Sequence, residues 1–175
     1  MSRYMLKNGG FTLIETITYL AIYSIIITGA LVSAYAIFES AGRNQTKAIA
    51  QEEGTYLVGK IDWALTGTQS ITAPAAGGVG SVLQVIKYDS TVGNPVVITF
   101  TNGTITLSRG GNAPQVLNNS NVTITCPPTG CLSHESASGD GINQESVSAS
   151  FTVHATTSTG IPYSQDFSTT KYVRK

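Results

Sequence analysis

Hydrophobic and polar positions fall into three regimes along this chain. From Phe11 to Phe38 the sequence is apolar apart from scattered hydroxyls, and its only charge is Glu15. Wound as an α-helix, these 28 residues extend about 42 Å, longer than the roughly 30 Å hydrocarbon core of a bilayer. The pattern predicts a transmembrane helix over 11–38 that spans with tilt and still protrudes. Past Glu39-Ser40-Ala41-Gly42 the pattern turns amphipathic, which predicts that the same helix continues over 39–67. Ile49, Leu57, Ile61, Ala64 and Leu65 fall near one face, and Lys47, Glu52, Glu53 and Asp62 stay mostly polar around them. That stripe is expected to form one side of a folded core. Gly54 and Gly59 each weaken a helix by up to about 1 kcal/mol relative to alanine, and Gly67 is a natural stop. Tyr56 and Trp63, seven residues apart, share a flank and are expected to pack into the core.

The third regime, residues 68–175, is expected to be a β-rich domain. Ala73-Pro74-Ala75-Ala76-Gly77-Gly78 has the composition of a linker leading from helix to sheet. Strand patterns follow at Val82 to Tyr88, Val96 to Phe100, Thr104 to Ser108 and Val122 to Thr125. Asn102-Gly103 is a dipeptide typical of tight β-hairpin turns. Val147 to Ala155 puts Val147, Ala149, Phe151 and Val153 on one face. Ile161 to Asp166 reads as a turn, and Phe167 to Arg174 as a strand closing the sheet. A long helix, a linker and then antiparallel strands predict an α+β fold with the sheet laid against the helix.

Glu15 is the costly residue in this arrangement. A carboxylate inside a membrane helix costs on the order of 2.5 to 3.5 kcal/mol and marks a functional site by default. It sits in Gly9-Gly10-Phe11-Thr12-Leu13-Ile14-Glu15. This segment resembles the N-terminus of a type IV prepilin or pseudopilin, in which a short basic leader ends in Gly and is followed by Phe, an apolar run and Glu at the fifth mature position. The resemblance covers about seven residues and the uninterrupted helix behind them.

It implies that residues 1–10 are a leader and that a prepilin peptidase cuts between Gly10 and Phe11 and N-methylates Phe11. It also implies that Glu15 is the assembly residue, neutralised by the new α-amino group at Phe11 of an adjacent subunit. The further partners implied are other pilin or pseudopilin subunits, an inner-membrane assembly platform and membrane lipid. The expected product is a structural subunit, a minor pilin or minor pseudopilin, and not an enzyme. Pilus, type II secretion and DNA-uptake machines share this N-terminal signal. Arg3 and Lys7 hold the leader in the cytoplasm by the positive-inside tendency, which places the β-rich domain outside. Many members of the family carry a proline near the middle of this helix. Here there is none, and Gly29 is the only candidate weak point.

Three other readings compete. Ala34-Tyr35-Ala36 fits the cleavage site of a secretory signal peptide, although the apolar run is about twice the usual 7 to 15 residues and Glu15 sits near its start. A plain single-pass anchor would let Glu15 snorkel to the interface. A membrane-tethered adhesin or sensor would use its β domain to bind a ligand and would not be polymerised.

Composition narrows the classes. Lys and Arg total 10 against 10 Asp and Glu, and charged residues are only 11% of the chain, so no basic face and no nucleic-acid partner are expected. Losing the leader removes two basic residues and leaves the product slightly acidic. Cys126 and Cys131 flank Pro127-Pro128-Thr129-Gly130 and, outside the membrane, are expected to form a disulfide. So small a ring stabilises by about 2 kcal/mol and pins a loop. A metal site would have to recruit His134 and the distant His154. No paired C-x-x-C or H-x-x-x-H spacing supports it, so no metal or cofactor is expected. Ser138-Gly139-Asp140-Gly141-Ile142-Asn143-Gln144-Glu145 clusters oxygen ligands, and some pseudopilins bind calcium in such a loop. Its spacing follows no calcium loop, and an exposed polar turn is expected. Neither histidine lies in a hydrolase or zincin motif. Gly77-Gly78-Val79-Gly80 lacks the lysine and following helix of a nucleotide site.

Overall fold

A computed structural model describes residues 10–101, 103–137, 144–156, 160 and 162–173. Arg3 and Lys7 of the expected leader, Asn102 of the expected hairpin turn, Ile161 and residues 138–143 of the polar turn lie outside them. One helix, α1, runs Leu13–Leu65 over 53 residues. It crosses the boundary between two compact units, Met1–Gly42 and Arg43–Lys175.

In the first unit no residue from 10 to 42 is buried, and this part of α1 is long and apolar enough to cross a membrane. Five of its Ser and Thr hydroxyls, on Thr16, Thr18, Ser24, Thr28 and Ser33, bond to carbonyls of the same helix. Thr16 donates to the Leu13 carbonyl, Thr18 to Ile14, Ser24 to Leu20 and Thr28 to Ser24, each at 2.8 Å. A lipid solvent therefore meets few unpaired polar atoms on it.

In the second unit α1 is packed against antiparallel β-sheets, an α+β fold. Its buried residues are Thr46, Ala50, Gly54, Leu57, Ile61, Ala64 and Leu65, and steps of three and four residues place them on one face. Ile49, expected on that stripe, is 37% exposed. The stripe continues through small residues instead.

The C-terminal end of α1 leaves orphan carbonyls, and side chains from the next segments satisfy them. Thr66 Oγ1 donates to Asp62 O at 2.8 Å, and Lys87 Nζ to Trp63 O at 2.6 Å. Thr68 Oγ1 donates to Ala64 O and Leu65 O at 3.1 and 3.0 Å. Gly67, at φ +69°, takes the left-handed conformation that turns the chain off the helix.

The first sheet is β1 (Thr68–Ala73), β3 (Val82–Lys87), β4 (Val96–Thr101), β5 (Thr104–Arg109) and β6 (Gln115–Val116), in that spatial order. The second contains β10 (Pro162–Tyr172), β9 (Ser146–Thr156), β8 (Leu132–Glu135) and β2 (Val79–Gly80), with β7 (Val122–Thr125) also paired to β9. All these pairs are antiparallel. Asn118 joins the sheets: its Oδ1 accepts from Ile105 N at 2.8 Å and its Nδ2 donates to Val122 O at 3.0 Å. The segment expected as a turn over Ile161 to Asp166 is strand from Pro162 onward. It is paired from Pro162↔Thr156 to Tyr172↔Ser146, because a partner of 11 residues overrides the weak local preference of Ser-Gln-Asp.

Val147, Ala149, Phe151 and Val153 are all buried, on one face of β9. The core they enter includes Leu57 and Ile61 of α1, Leu83, Val85, Val96, Ile98 and Ile105. Phe167 of β10 stacks on Phe151 with centroids 5.9 Å apart and planes at 19°. Its ring lies directly over Gly54, where a Cβ would overlap the Phe167 side chain. The glycine that looks like a helix defect is the space into which the last strand docks.

Candidate functional site

Three places carry chemistry. The first is the N-terminal segment. Gly10, Phe11 and Thr12 are non-helical and exposed, and a Cβ at Gly10 would meet no neighbour within 4 Å. Thr12 O opens α1 by accepting from Glu15 N at 3.1 Å and Thr16 N at 3.2 Å. The Gly10-Phe11 bond thus lies in accessible, non-helical chain just outside the helix. Glu15 stands in the first turn, where the helix dipole favours a negative charge. Tyr19, one turn on, donates its hydroxyl to Glu15 Oε1 at 3.3 Å, and its ring meets Phe11 edge-on at 6.3 Å. Tyr19 was not legible as a partner by residue type alone. The i to i+4 spacing from Glu15 is the signal that finds it.

The second is the cysteine loop. Cys126 and Cys131 form a disulfide with Cα atoms 4.8 Å apart. It closes the turn between β7 and β8, which follow one another along the same edge of β9. Within the ring Gly130 N donates to Pro127 O at 2.9 Å. Gly130 has φ +121° and comes so close to β2 that a Cβ would lie 3.0 Å from Gly80 O.

His134 is buried, with Nδ1 at 2.8 Å from Pro74 O and Nε2 at 3.1 Å from Glu145 Oε1. His154 is bonded at 2.7 Å through Nε2 to Thr125 Oγ1 and through Nδ1 to Ser164 Oγ. Both rings are engaged in holding strands and turns together. Among the described residues no three His, Cys, Asp or Glu side chains come together as a metal group.

The third place is a half-open groove of about 630 Å³ between α1 and the β5–β6 side of the first sheet. Tyr56, Gly59, Lys60 and Trp63 form its helical wall, with Leu107, Arg109, Gln115 and Leu117 opposite. Their helical spacing, i, i+3, i+4 and i+7, places the four on one face. Tyr56, expected in the core, is 44% exposed. It lies off the stripe that begins at Thr46, and only Trp63 of the pair packs against the core. Lys60 Nζ lies 5.1 Å from the Tyr56 ring centroid.

Lys87 Nζ lies 4.2 Å from the Trp63 centroid while capping the same residue's carbonyl. Burial pushes the Lys87 amine below its ordinary pKa, partly opposed by the nearby Asp89 charge. Asp89 is itself held below the usual carboxylate value by hydrogen bonds from the Thr91 hydroxyl and backbone N–H, at 2.6 and 2.9 Å.

Comparison with models of known protein families, with curated proteins and with solved structures found no match.

Proposed function

We propose that the chain is a fibre subunit of the type IV pilin and pseudopilin kind, made as a membrane-anchored precursor and polymerised after its leader is removed. The observation that carries this reading is Glu15 at the head of an unbroken 53-residue helix, four residues past an exposed Phe11 at which the leader would end. In this reading prepilin peptidase cuts Gly10-Phe11, and the amine released on Phe11 is the cation that Glu15 needs.

Before cleavage the carboxylate has only partial relief, from the Tyr19 hydroxyl and the helix dipole. After cleavage, an amine from a neighbouring subunit would pair with it in apolar surroundings. The attraction is stronger there than in water, and an unpaired buried charge is heavily penalised. Register between helices follows, because Glu15 is the only charge in 11–38 and so can be satisfied at one position only. The bare apolar surface of residues 11–38 supports lateral packing, first with lipid and then with other helices. The β-rich unit then lies outside the inner membrane, a topology supported by Arg3 and Lys7 and compatible with the disulfide.

The test is Glu15→Val. It removes the charge without shortening the helix, so the precursor should still insert and be cleaved while its share in sheared surface or periplasmic fibres falls at least tenfold. Assembly of Glu15→Val at the wild-type rate would sink the proposal. Retention of the wild-type chain in washed membranes, with none in fibres, would favour the tethered adhesin or sensor.

A further inference from the structure

We propose that the groove between α1 and the β5–β6 side of the first sheet binds an acidic saccharide. The inference does not depend on polymerisation, and it holds equally for a subunit displayed on a fibre and for a tethered domain. The helical wall carries Tyr56 and Trp63 seven residues apart, about 10.5 Å along the axis. Gly59 lies between them, and a Cβ there would meet nothing within 4 Å. Two aromatic side chains with a hollow between them make a trough longer than one pyranose ring.

The opposite wall supplies Leu107 and Leu117 as apolar contact and Gln115 as an amide with both donors and an acceptor. An apolar trough with a few convergent polar groups is the usual construction of a small-ligand site, and the volume lies within the customary range.

Charge decides the ligand class. Lys60 and Arg109 line the groove, no Asp or Glu does, and neither cation makes an ion pair among the described residues. Arginine presents a planar fork matched to a carboxylate. The groove therefore suits a ligand that offers hydrocarbon to its apolar walls, hydroxyls to Gln115 and a carboxylate to Arg109. A sugar acid in a short oligosaccharide has all three. A nucleic-acid strand fits less well, since it needs a continuous basic track and this chain has equal numbers of acidic and basic residues.

Trp63 is the only tryptophan in the chain, so its emission reports the groove without labelling. The full chain in a detergent lacking a sugar headgroup should show a saturable change in Trp63 fluorescence with trigalacturonate. Maltotriose, a neutral trisaccharide, should bind at least tenfold more weakly. Arg109→Ala should weaken trigalacturonate binding at least tenfold. Gly59→Leu should abolish it while leaving Tm equal or higher, because the new side chain fills the hollow and improves helix propensity.

The proposal is overturned if trigalacturonate gives no saturable change, if maltotriose binds as well, or if Gly59→Leu binds normally. Tighter binding of an oligothymidylate, or an emission change driven by protein concentration alone, would also overturn it. The first would assign the groove to nucleic acid and the second to another copy of the chain.

Discussion

Two glycines of α1, five residues apart, should respond to the same substitution with opposite signs. In a helix interior Gly→Ala gains up to about 1 kcal/mol from backbone propensity. At Gly59 nothing opposes that gain, and Gly59→Ala should stabilise the second unit by about that amount. At Gly54 the added Cβ overlaps the Phe167 ring, whose Cδ2 would lie 2.6 Å away. The ring cannot give without leaving its stack on Phe151, where centroids are 5.9 Å apart. Overpacking of this kind costs about 1 to 3 kcal/mol, and a disturbed aromatic pair a further 0.5 to 1.5 kcal/mol or so. Set against the propensity gain, Gly54→Ala should be destabilising by about 0.5 to 3.5 kcal/mol. At roughly 4 °C per kcal/mol for a unit of this size, its Tm should fall by about 2 to 14 °C, and that of Gly59→Ala should rise by up to about 4 °C. Thermal unfolding followed by Trp63 emission in detergent measures both. Combining Gly54→Ala with Phe167→Leu should recover part of the loss, since the two sites share one contact. If Gly54→Ala proves as stable as wild type, β10 does not dock on α1 through Phe167 and the packing argument fails.

Replacing both Cys126 and Cys131 by serine should lower stability by about 2 kcal/mol without unfolding the unit, because the ring they close is short. Denaturant unfolding gives the loss, and two free thiols by mass spectrometry in protein from oxidising conditions would contradict the bond. The Asp89 carboxyl should titrate below its ordinary 3.8, and Thr91→Val should move it back up, as read by carboxyl-carbon NMR. With the folded value depressed, its contribution to stability is present above the unfolded pKa and is lost as pH falls through the folded one. Thr91→Val should flatten that acid limb.

Elements with strong local periodicity were legible in the sequence. Leu57, Ile61, Ala64 and Leu65 announce a buried helix face, and the alternation from Val147 to Val153 announces β9. The upper part of the helix stripe was not, because Thr46, Ala50 and Gly54 carry little apolar signal. Gly54 leaves room for Phe167, more than a hundred residues away, and no local pattern encodes that. β8 (LSHE) is too short to register, and the first half of β10 carries Tyr163 as its one core-packed side chain among polar neighbours. Ala73-Pro74 masked β1, which pairs with β3 from Thr68↔Lys87 to Ala73↔Gln84.

The candidate processing residues Gly10 and Phe11, and Glu15 with them, could be singled out because seven adjacent residues hold them. The groove could not, since Leu107, Arg109 and Gln115 come from other elements. Of its helical wall the sequence shows only that Tyr56 and Trp63 share a flank, a spacing that points to core packing and not to a groove.

The proposed fibre subunit stands or falls on the N-terminus of the mature protein. Full-length protein expressed in a host that contains prepilin peptidase can be recovered from membranes and fibres and its first residues read by mass spectrometry. The account predicts a chain beginning at N-methylated Phe11, with residues 1–10 removed. A chain beginning at Ile37 would mean that the apolar segment is a signal peptide, and one beginning at Met1 or Ser2 that it is a plain anchor. Either would contradict the account.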